Sequence, residues 1–165
     1  MDGKSTILLE EKNRMTDVVD PFTRSRMMAG IRSVNTKPEK QIRTALHLKG
    51  FRYRLHDRRV PGCPDLVFPK YHAVLFVHGC FWHGHKCPLF RLPKTRTDFW
   101  EKKIRRNRER DNEVGEELEK QGWRKGIVWE CALKGKFRIG LEETVNRIIF
   151  WVRSEQEGIE VRGTA

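Results

Sequence analysis

Hydrophobic and polar positions follow one another along the chain in a way that predicts an α/β fold. Apolar residues recur at helical spacing in three segments, 36–50, 97–120 and 141–152. Between the first two segments, the runs FRYRLH, PDLVF and AVLFVH have the branched and aromatic residues typical of strands, and WRKGIVWECAL predicts a further strand. The predicted order is a helix, three strands, a helix, a strand and a helix.

The arrangement of these elements can be predicted as well. Thr36 and Glu39 have the spacing of a capping box, and Gly50 follows the last turn of the same helix. AVLFVH is apolar almost throughout, which is typical of a strand covered on both faces. Because segment 97–120 connects two strands, we expect a parallel crossover there, and so a mixed β-sheet flanked by helices.

A chain of 165 residues is long enough for one hydrophobic core. We therefore predict a single domain over residues 21–155, with a loosely ordered extension at 1–20 and a tail at 156–165. Residues 21–35 contain FTRSRMMAGIRS, in which basic and apolar residues are mixed. This arm is either a short helix laid along a partner or a helix packed on the body.

The charge of the chain favours a polyanionic partner. Lys and Arg total 34 against 22 Asp and Glu, the net charge is +12, and the pI is near 9.9. Nucleic acid is the usual partner of so basic a protein, although a solvated basic surface is the alternative. Neither a membrane-length apolar run nor a signal-peptide pattern is present, so we expect a cytoplasmic protein that associates with the nucleoid through DNA.

Four cysteines in a reducing compartment favour metal binding over disulfides. Cys80, His85 and Cys87 lie close together, and Cys131 follows at the end of a predicted strand. Three thiolates and one imidazole are the ligands of a closed, structural zinc site. Two alternatives stay open, since Cys131 could be a buried apolar residue and either His78 or His83 could replace His85 as the ligand.

A second group of residues suggests phosphate chemistry. Asp65 opens a predicted strand after Pro64, where a carboxylate can bind Mg²⁺ against a phosphate or can simply accept hydrogen bonds in a turn. Glu39, His78 and His83 could converge on the same edge of the sheet. A neutral His83 could then take a proton from an attacking water.

Together these stretches resemble the very short patch repair (Vsr) endonucleases, a family of DNA mismatch nickases. The matching stretches are PGCPDLV, FVHGCFWHGHKC, KTRTDFW, KIRRNRERD and GWRKGIVWECAL. They occur in one order between about residues 20 and 150. The resemblance implies a restriction-endonuclease-like fold and an enzyme that nicks one strand 5′ to the thymine of a T:G mismatch, the product of 5-methylcytosine deamination.

The resemblance also implies a role for particular residues. Asp65 and the main-chain carbonyl of Val77 match the Mg²⁺ ligands, and His83 matches the general base. Glu39 and His78 match residues that position water or phosphate. The zinc ligands that it implies are Cys80, His85, Cys87 and Cys131. The DNA-contacting residues that it implies are Phe81, Trp82 and Trp100 beside the mismatch, Lys103 and Asn107 at the mismatched pair, and Arg24, Arg26 and Met28 in a groove.

Two positions depart from the family pattern. Val77 stands where the best-known member has threonine, but a main-chain ligand does not depend on the side chain. Cys63 stands where a basic residue is common, which removes one phosphate contact. Trp100, at the start of a helix, could instead be a core residue.

We therefore expect a monomeric DNA mismatch endonuclease with two catalytic Mg²⁺ ions and one structural Zn²⁺ ion. Its partners would be double-stranded DNA with a T:G mismatch, mismatch-repair proteins and a DNA polymerase that acts on the nick. The first alternative is a restriction-type or structure-selective endonuclease of the same fold. The second is a zinc-stabilised DNA-binding module without catalysis, in which Asp65 and His83 are idle.

Overall fold

The computed structural model describes residues 20–30 and 33–164. Its helices are α1 (Pro21–Ala29), α2 (Lys37–Leu48), α3 (Thr97–Lys120) and α4 (Leu141–Arg153). Its strands are β1 (Arg54–Leu55), β2 (Leu66–Phe68), β3 (Ala73–His78), β4 (Arg124–Trp129) and β5 (Gly158–Val161). The predicted helix, three strands, helix, strand and helix all occur in that order, from α2 to α4, and β5 follows them. The predicted extension at 1–20 lies outside the described residues, except for Asp20.

The five strands form one mixed sheet in the order β1-β2-β3-β4-β5. β1, β2 and β3 are joined by antiparallel pairing, whereas β3–β4 and β4–β5 are parallel. Helix α3 connects β3 to β4, which confirms the predicted crossover, and α4 leads to β5. The parallel register places His78, at the end of β3, beside Trp129 at the end of β4.

Two features of the strands differ from the sequence prediction. The run FRYRLH forms a strand only at Arg54–Leu55, and the preceding aromatic residues Phe51 and Tyr53 pack against Phe68. The fifth strand, β5, lies in the segment that we predicted as a tail, where Val161 is fully buried. Alternation over only four residues is too short a pattern to identify such a strand.

Residues on the two faces of the sheet belong to two separate apolar clusters. Leu66 and Leu75 pack with Ile42 of α2 and Trp151 of α4 in the larger cluster. The smaller cluster, on the other face, includes Val67, Val74 and Leu118 of α3. The strand β3 is thus covered on both faces, as its apolar sequence predicts.

Helix α1 lies in a unit separate from the body, which begins at Ser33. Asp20 caps this helix, since its Oδ1 accepts hydrogen bonds from the main-chain N–H groups of Phe22 and Thr23 at 3.0 and 2.9 Å. Phe22 and Met27 are largely exposed. The helical form of the predicted arm is therefore confirmed over Pro21–Ala29. Within residues 20–30 and 33–164, none of the helices combines the length and the apolar character of a membrane span.

Candidate active site and metal centre

Asp65 lies immediately before β2 and points toward β3. Its Oδ2 accepts a hydrogen bond from the main-chain N–H of Val77 at 2.6 Å. Burial raises the pKa of Asp65 to about 6, and the nearby charge of Glu39 adds to this rise, while the Val77 N–H opposes it. A buried carboxylate in this environment is stabilised when a cation binds beside it.

Glu39 performs the structural role that its spacing predicts and also reaches the site. Its Oε2 accepts a hydrogen bond from the Thr36 N–H at 3.3 Å, which completes the capping box. Its Oε1 lies 2.9 Å from His56 Nε2 and 3.4 Å from Arg43 Nη1. The side chain is almost completely buried. Capping and participation in the site are therefore compatible functions of one carboxylate.

His56 completes this first cluster, and we did not predict it. Suitable donor atoms of Glu39, His56 and Asp65 all lie within 4.8 Å of one another. Two carboxylates and an imidazole are a donor set that fits a divalent cation. The signal that could have identified His56 is its position at the end of the strand paired with the one that Asp65 opens.

A second cluster contains His78, His83 and Asp111, whose donor atoms also lie within 4.8 Å of one another. His83 Nδ1 is 2.5 Å from Asp111 Oδ2. The rings of His78 and His83 are stacked in parallel. The carboxylate at Nδ1 leaves the other ring nitrogen of His83 available for proton exchange.

Asp111 is the second residue that we did not predict. It lies on α3 four residues after Asn107, and therefore on the same face of the helix as Asn107 and Lys103. Extending this helical spacing by one more turn would have identified Asp111 from the sequence.

The two clusters are close in space. The 2.6 Å hydrogen bond from the Val77 N–H to Asp65 joins the first cluster to the residue that precedes His78 of the second. The structure thus brings the four predicted catalytic residues, Glu39, Asp65, His78 and His83, to one edge of the sheet.

Cys80, His85, Cys87 and Cys131 form the third cluster, with all four donor atoms within 4.8 Å of one another. A tetrahedral zinc ion, with bonds of about 2.3 Å to sulfur and 2.0–2.1 Å to nitrogen, fits such spacing. His85 Nδ1 lies 3.7 Å from Cys131 Sγ, so His85 is the histidine of this set. Burial raises the pKa of both Cys80 and Cys131 as free thiols, so their thiolates need a bound cation for stability.

The four residues of this Cys3His cluster come from two strand ends. Cys80, His85 and Cys87 belong to the loop between β3 and α3, whereas Cys131 lies in the 3₁₀ turn Glu130–Ala132 that follows β4. The His85 ring stacks on Trp129, with the ring centroids 4.1 Å apart. Cys131 Sγ also accepts a hydrogen bond from the Gly163 N–H at 3.4 Å, which brings the segment after β5 to the same cluster.

Aromatic side chains gather beside this loop, and we call them the aromatic patch. Its members are Phe81, Trp82, Phe90, Phe99 and Trp100. Lys103 Nζ lies 5.3 Å from the centroid of the Trp82 ring, and Asn107 Nδ2 donates a hydrogen bond to the Trp82 carbonyl at 2.8 Å. Trp100 belongs to this patch and to neither of the two core clusters.

A cleft of about 330 Å³ adjoins His78 and His83. Four of its lining side chains are cationic, namely Lys86, Arg108, Lys125 and Arg162. Basic side chains around the histidine cluster give this region the charge expected of a surface that binds a phosphate backbone.

Comparison with known proteins gives relatives that match most of the chain. The family model described as DNA mismatch endonuclease Vsr matches residues 16–89. The Type II nicking enzyme V.XorIIP of Xanthomonas oryzae pv. oryzae is 51% identical over 119 residues, which cover 72% of this chain and 88% of that protein. The DNA mismatch endonuclease Vsr of Escherichia coli is 42% identical over 147 residues, which cover 89% of this chain and 94% of that protein.

The Type II nicking enzyme V.NmeAIP of Neisseria meningitidis is 47% identical over 135 residues, which cover 82% of this chain and 95% of that protein. A mixed α/β sheet with a carboxylate cluster and a histidine cluster at one edge, together with these relatives, defines a DNA endonuclease. The chain belongs to the Vsr family of DNA mismatch endonucleases. The alternative of a DNA-binding module without catalysis is therefore set aside.

Proposed function

We propose that this endonuclease nicks one strand of double-stranded DNA 5′ to the thymine of a T:G mismatch, by Mg²⁺-dependent phosphodiester hydrolysis. The observation that carries the proposal is the loop between β3 and α3. It contains a proton acceptor, His83, and two residues of the aromatic patch, Phe81 and Trp82, between the zinc ligands Cys80 and His85. One short segment thus connects the chemistry with base recognition.

Asp65 and the main-chain carbonyl of Val77 are the proposed ligands of the catalytic metal, with two Mg²⁺ ions at the phosphate. The buried carboxylate of Asp65, with its raised pKa, supports this assignment. When bound, Mg²⁺ would neutralise the negative charge that develops on the phosphate during hydrolysis. Glu39 and His78 position water and phosphate at the edges of the site.

His83 is the proposed general base. Asp111 accepts a hydrogen bond from His83 Nδ1–H. This bond keeps the imidazole in the tautomer whose Nε2 can take a proton from water. The water oxygen attacks phosphorus and the bond to the 3′ oxygen breaks. The products carry a 5′-phosphate and a 3′-hydroxyl.

The aromatic patch is the proposed source of mismatch preference. A T:G wobble pair stacks less well than a normal pair, so opening the base step beside it costs less free energy. Stacking of Phe81, Trp82 and Trp100 on the exposed bases returns ~1–3 kcal/mol per base. Lys103 and Asn107 contact the mismatched pair, and Arg24, Arg26 and Met28 of α1 lie in a groove of the DNA.

One Zn²⁺ ion is the proposed occupant of the Cys3His cluster. A closed set of four ligands provides folding energy and no open position for substrate, so the ion is structural. We propose that the enzyme acts as a monomer, and that mismatch-repair proteins and a DNA polymerase process the nick.

A strand-specific nicking assay on T:G duplexes with randomised flanks tests the proposal, with T:A and branched duplexes in parallel. We expect nicks 5′ to the mismatched thymine, and we expect Asp65→Ala to bind the T:G duplex without cutting it. The names of several relatives, Type II nicking enzymes, keep a restriction-type or structure-selective activity as the second candidate. Equal cutting of T:A or preferential cutting of branched DNA would establish that second candidate.

A further inference from the structure

His56 lies directly across the sheet from Asp65. The antiparallel register pairs Leu55 with Leu66, so one more step places His56 opposite Asp65. His56 has a φ of +48°, in the left-handed region that is uncommon for a side-chain-bearing residue. Its carbonyl accepts a hydrogen bond from the Cys63 thiol at 3.3 Å. The backbone therefore turns sharply just where the imidazole meets the carboxylates.

The two ring nitrogens of His56 face two different carboxylates. His56 Nδ1 lies 3.9 Å from Asp65 Oδ1, which is too long for a hydrogen bond. Two ligands of one cation with bonds of about 2.1 Å have such a separation when the angle at the metal is wide. His56 Nε2 lies 2.9 Å from Glu39 Oε1. Among the described residues, this nitrogen has no partner at a regular hydrogen-bond angle.

This geometry differs from that of a histidine that merely pairs with an acid. A metal-binding histidine commonly uses one nitrogen for the metal and donates the other N–H to a carboxylate, which orients the ring. Asp65 and Glu39 face opposite ring nitrogens of His56, at 3.9 and 2.9 Å, so one nitrogen can face a cation while the other faces a carboxylate. Glu39 is itself fixed, because its other oxygen accepts the Thr36 N–H.

We propose that His56 is a nitrogen ligand, through Nδ1, of the divalent cation bound by Asp65, and that Glu39 orients the ring from Nε2. The inference rests on the proposed metal-dependent function and goes beyond it, because it assigns a ligand of a different chemical class. Mg²⁺ takes oxygen ligands almost exclusively, whereas Mn²⁺, a transition-metal ion, accepts oxygen ligands and tolerates an imidazole nitrogen beside them. His56 thus raises the affinity of this site for Mn²⁺ relative to Mg²⁺, compared with the same site without the imidazole.

Pulsed electron paramagnetic resonance of Mn²⁺ bound to the full, zinc-loaded chain tests this ligand directly. Nitrogen coordination produces ¹⁴N modulation of the electron spin echo, and labelling histidine with ¹⁵N must change that modulation in the wild-type protein. His56→Gln and His56→Asn should both lose it, and Asn is a residue that tolerates a left-handed backbone. The matched control is His72→Gln, because His72 is exposed and stacks on Trp123 away from the carboxylates.

The histidine cluster provides a second possible source of nitrogen, so His83→Gln is measured in the same way. Persistence of the modulation in both His56 variants, or its loss in His83→Gln alone, would overturn the proposal. Competition between Mn²⁺ and Mg²⁺ gives an independent measure, in which we expect the Mn²⁺-over-Mg²⁺ affinity ratio to fall at least about tenfold in His56→Gln. An unchanged ratio would also overturn it.

The outcome is separable from the proposed nicking activity. Wild-type nicking of T:G duplexes together with ¹⁴N modulation that persists in the His56 variants means that the ligand assignment fails while the function stands. Conversely, modulation that depends on His56 in a chain that cuts no T:G duplex means that the metal site stands while the mismatch function fails.

Discussion

The imidazole rings of His78 and His83 stack face to face, with their centroids 3.8 Å apart and their planes within 1° of parallel. Two rings this close do not both carry a positive charge at low cost. Burial, and then the neighbouring His83, lower the pKa of His78 to about 3. His78 is therefore neutral at physiological pH, and of the two stacked rings it is His83 that we propose as the proton acceptor.

Replacing Asp111 with Asn should strongly reduce nicking while leaving DNA binding intact. The Asp111 carboxylate accepts a hydrogen bond from His83 Nδ1–H and so leaves Nε2 unprotonated. The Asn amide can instead donate a hydrogen bond to Nδ1, which favours the tautomer protonated at Nε2. That tautomer cannot take a proton from water at Nε2. We expect the single-turnover rate to fall about 10²–10⁴-fold, the range typical of general-base catalysis. The control is Glu113→Gln on the exposed side of α3. A rate within threefold, on the order of experimental scatter, would contradict the role of Asp111.

Replacing Asp65 with Asn should stabilise the protein in the absence of added divalent cations. The pKa of Asp65 in the folded protein is about 6, above the ordinary value of 3.8. Between these values the folded state binds more protons than the unfolded state, so wild-type stability falls as pH rises through this window. Asn retains an acceptor for the Val77 N–H without the buried charge.

We expect Asp65→Asn to raise the free energy of unfolding by about 1–3 kcal/mol at pH 7, and by much less near pH 4. Urea denaturation at several pH values measures both. Glu116→Gln, at an exposed position of α3, should show little change at either pH. A gain that is equal at pH 4 and pH 7 would mean that charge burial at Asp65 is not its cause.

Loss of a zinc ligand should release the metal and destabilise the domain. In Cys131→Ser we expect less than one equivalent of zinc per chain, by metal analysis, together with a lower melting temperature, because a hard hydroxyl is a poor zinc ligand. Cys63→Ser is the matched control, since Cys63 is exposed and lies outside the cluster. Full zinc content in Cys131→Ser would remove Cys131 from the ligand set.

Trp100→Ala should weaken binding of T:G duplexes more than binding of T:A duplexes. Trp100 contacts Phe81 and Trp82 edge-on, at centroid distances of 5.3 and 6.0 Å. Loss of one stacking ring should cost about 1–3 kcal/mol of mismatch binding. Phe150→Ala, which removes an exposed ring outside the aromatic patch, should leave both affinities unchanged. Equal weakening for both duplexes would make Trp100 a general DNA contact.

Arg124→Ala should be among the more destabilising surface-charge substitutions in this chain. The guanidinium of Arg124 donates to carbonyl oxygens near the end of α4, including those of Trp151, Val152 and Ser154 at 2.9–3.2 Å. Leaving those carbonyls without a charged donor should cost about 2–4 kcal/mol in chemical denaturation. Arg147→Ala removes an exposed ion pair with Glu143 and should cost about 0–1 kcal/mol. Similar losses for the two variants would contradict a capping role.

Features that depend on local spacing could be predicted from the sequence. Helix α3 has the bounds that its apolar periodicity predicts, 97–120, and Thr36 with Glu39 forms the predicted capping box. Cys80 and Cys87 of the Cys3His cluster could be named from spacing, because they lie within one short segment with His85. The choice of His85 and the inclusion of Cys131, which follows a different strand, came from the family resemblance.

Features that depend on pairing between distant segments were harder to predict. His56 is significant only because the β1–β2 register places it opposite Asp65, and a strand of two residues gives almost no periodic signal. Asp111 reaches His83 from a different element, at a separation of 28 residues. Strand β5 forms through its parallel pairing with β4, and its own short sequence pattern does not identify it as a strand.

The loop between β3 and α3 also determines how the enzyme fails. Because the proposed zinc ligands Cys80 and His85 flank His83 and Trp82, we expect a chain without zinc to lose the order of its proposed base and its proposed base wedge together. Specificity and activity would then disappear in the same event. When zinc is depleted, we therefore expect the enzyme to be inactive, and not to cut intact DNA indiscriminately.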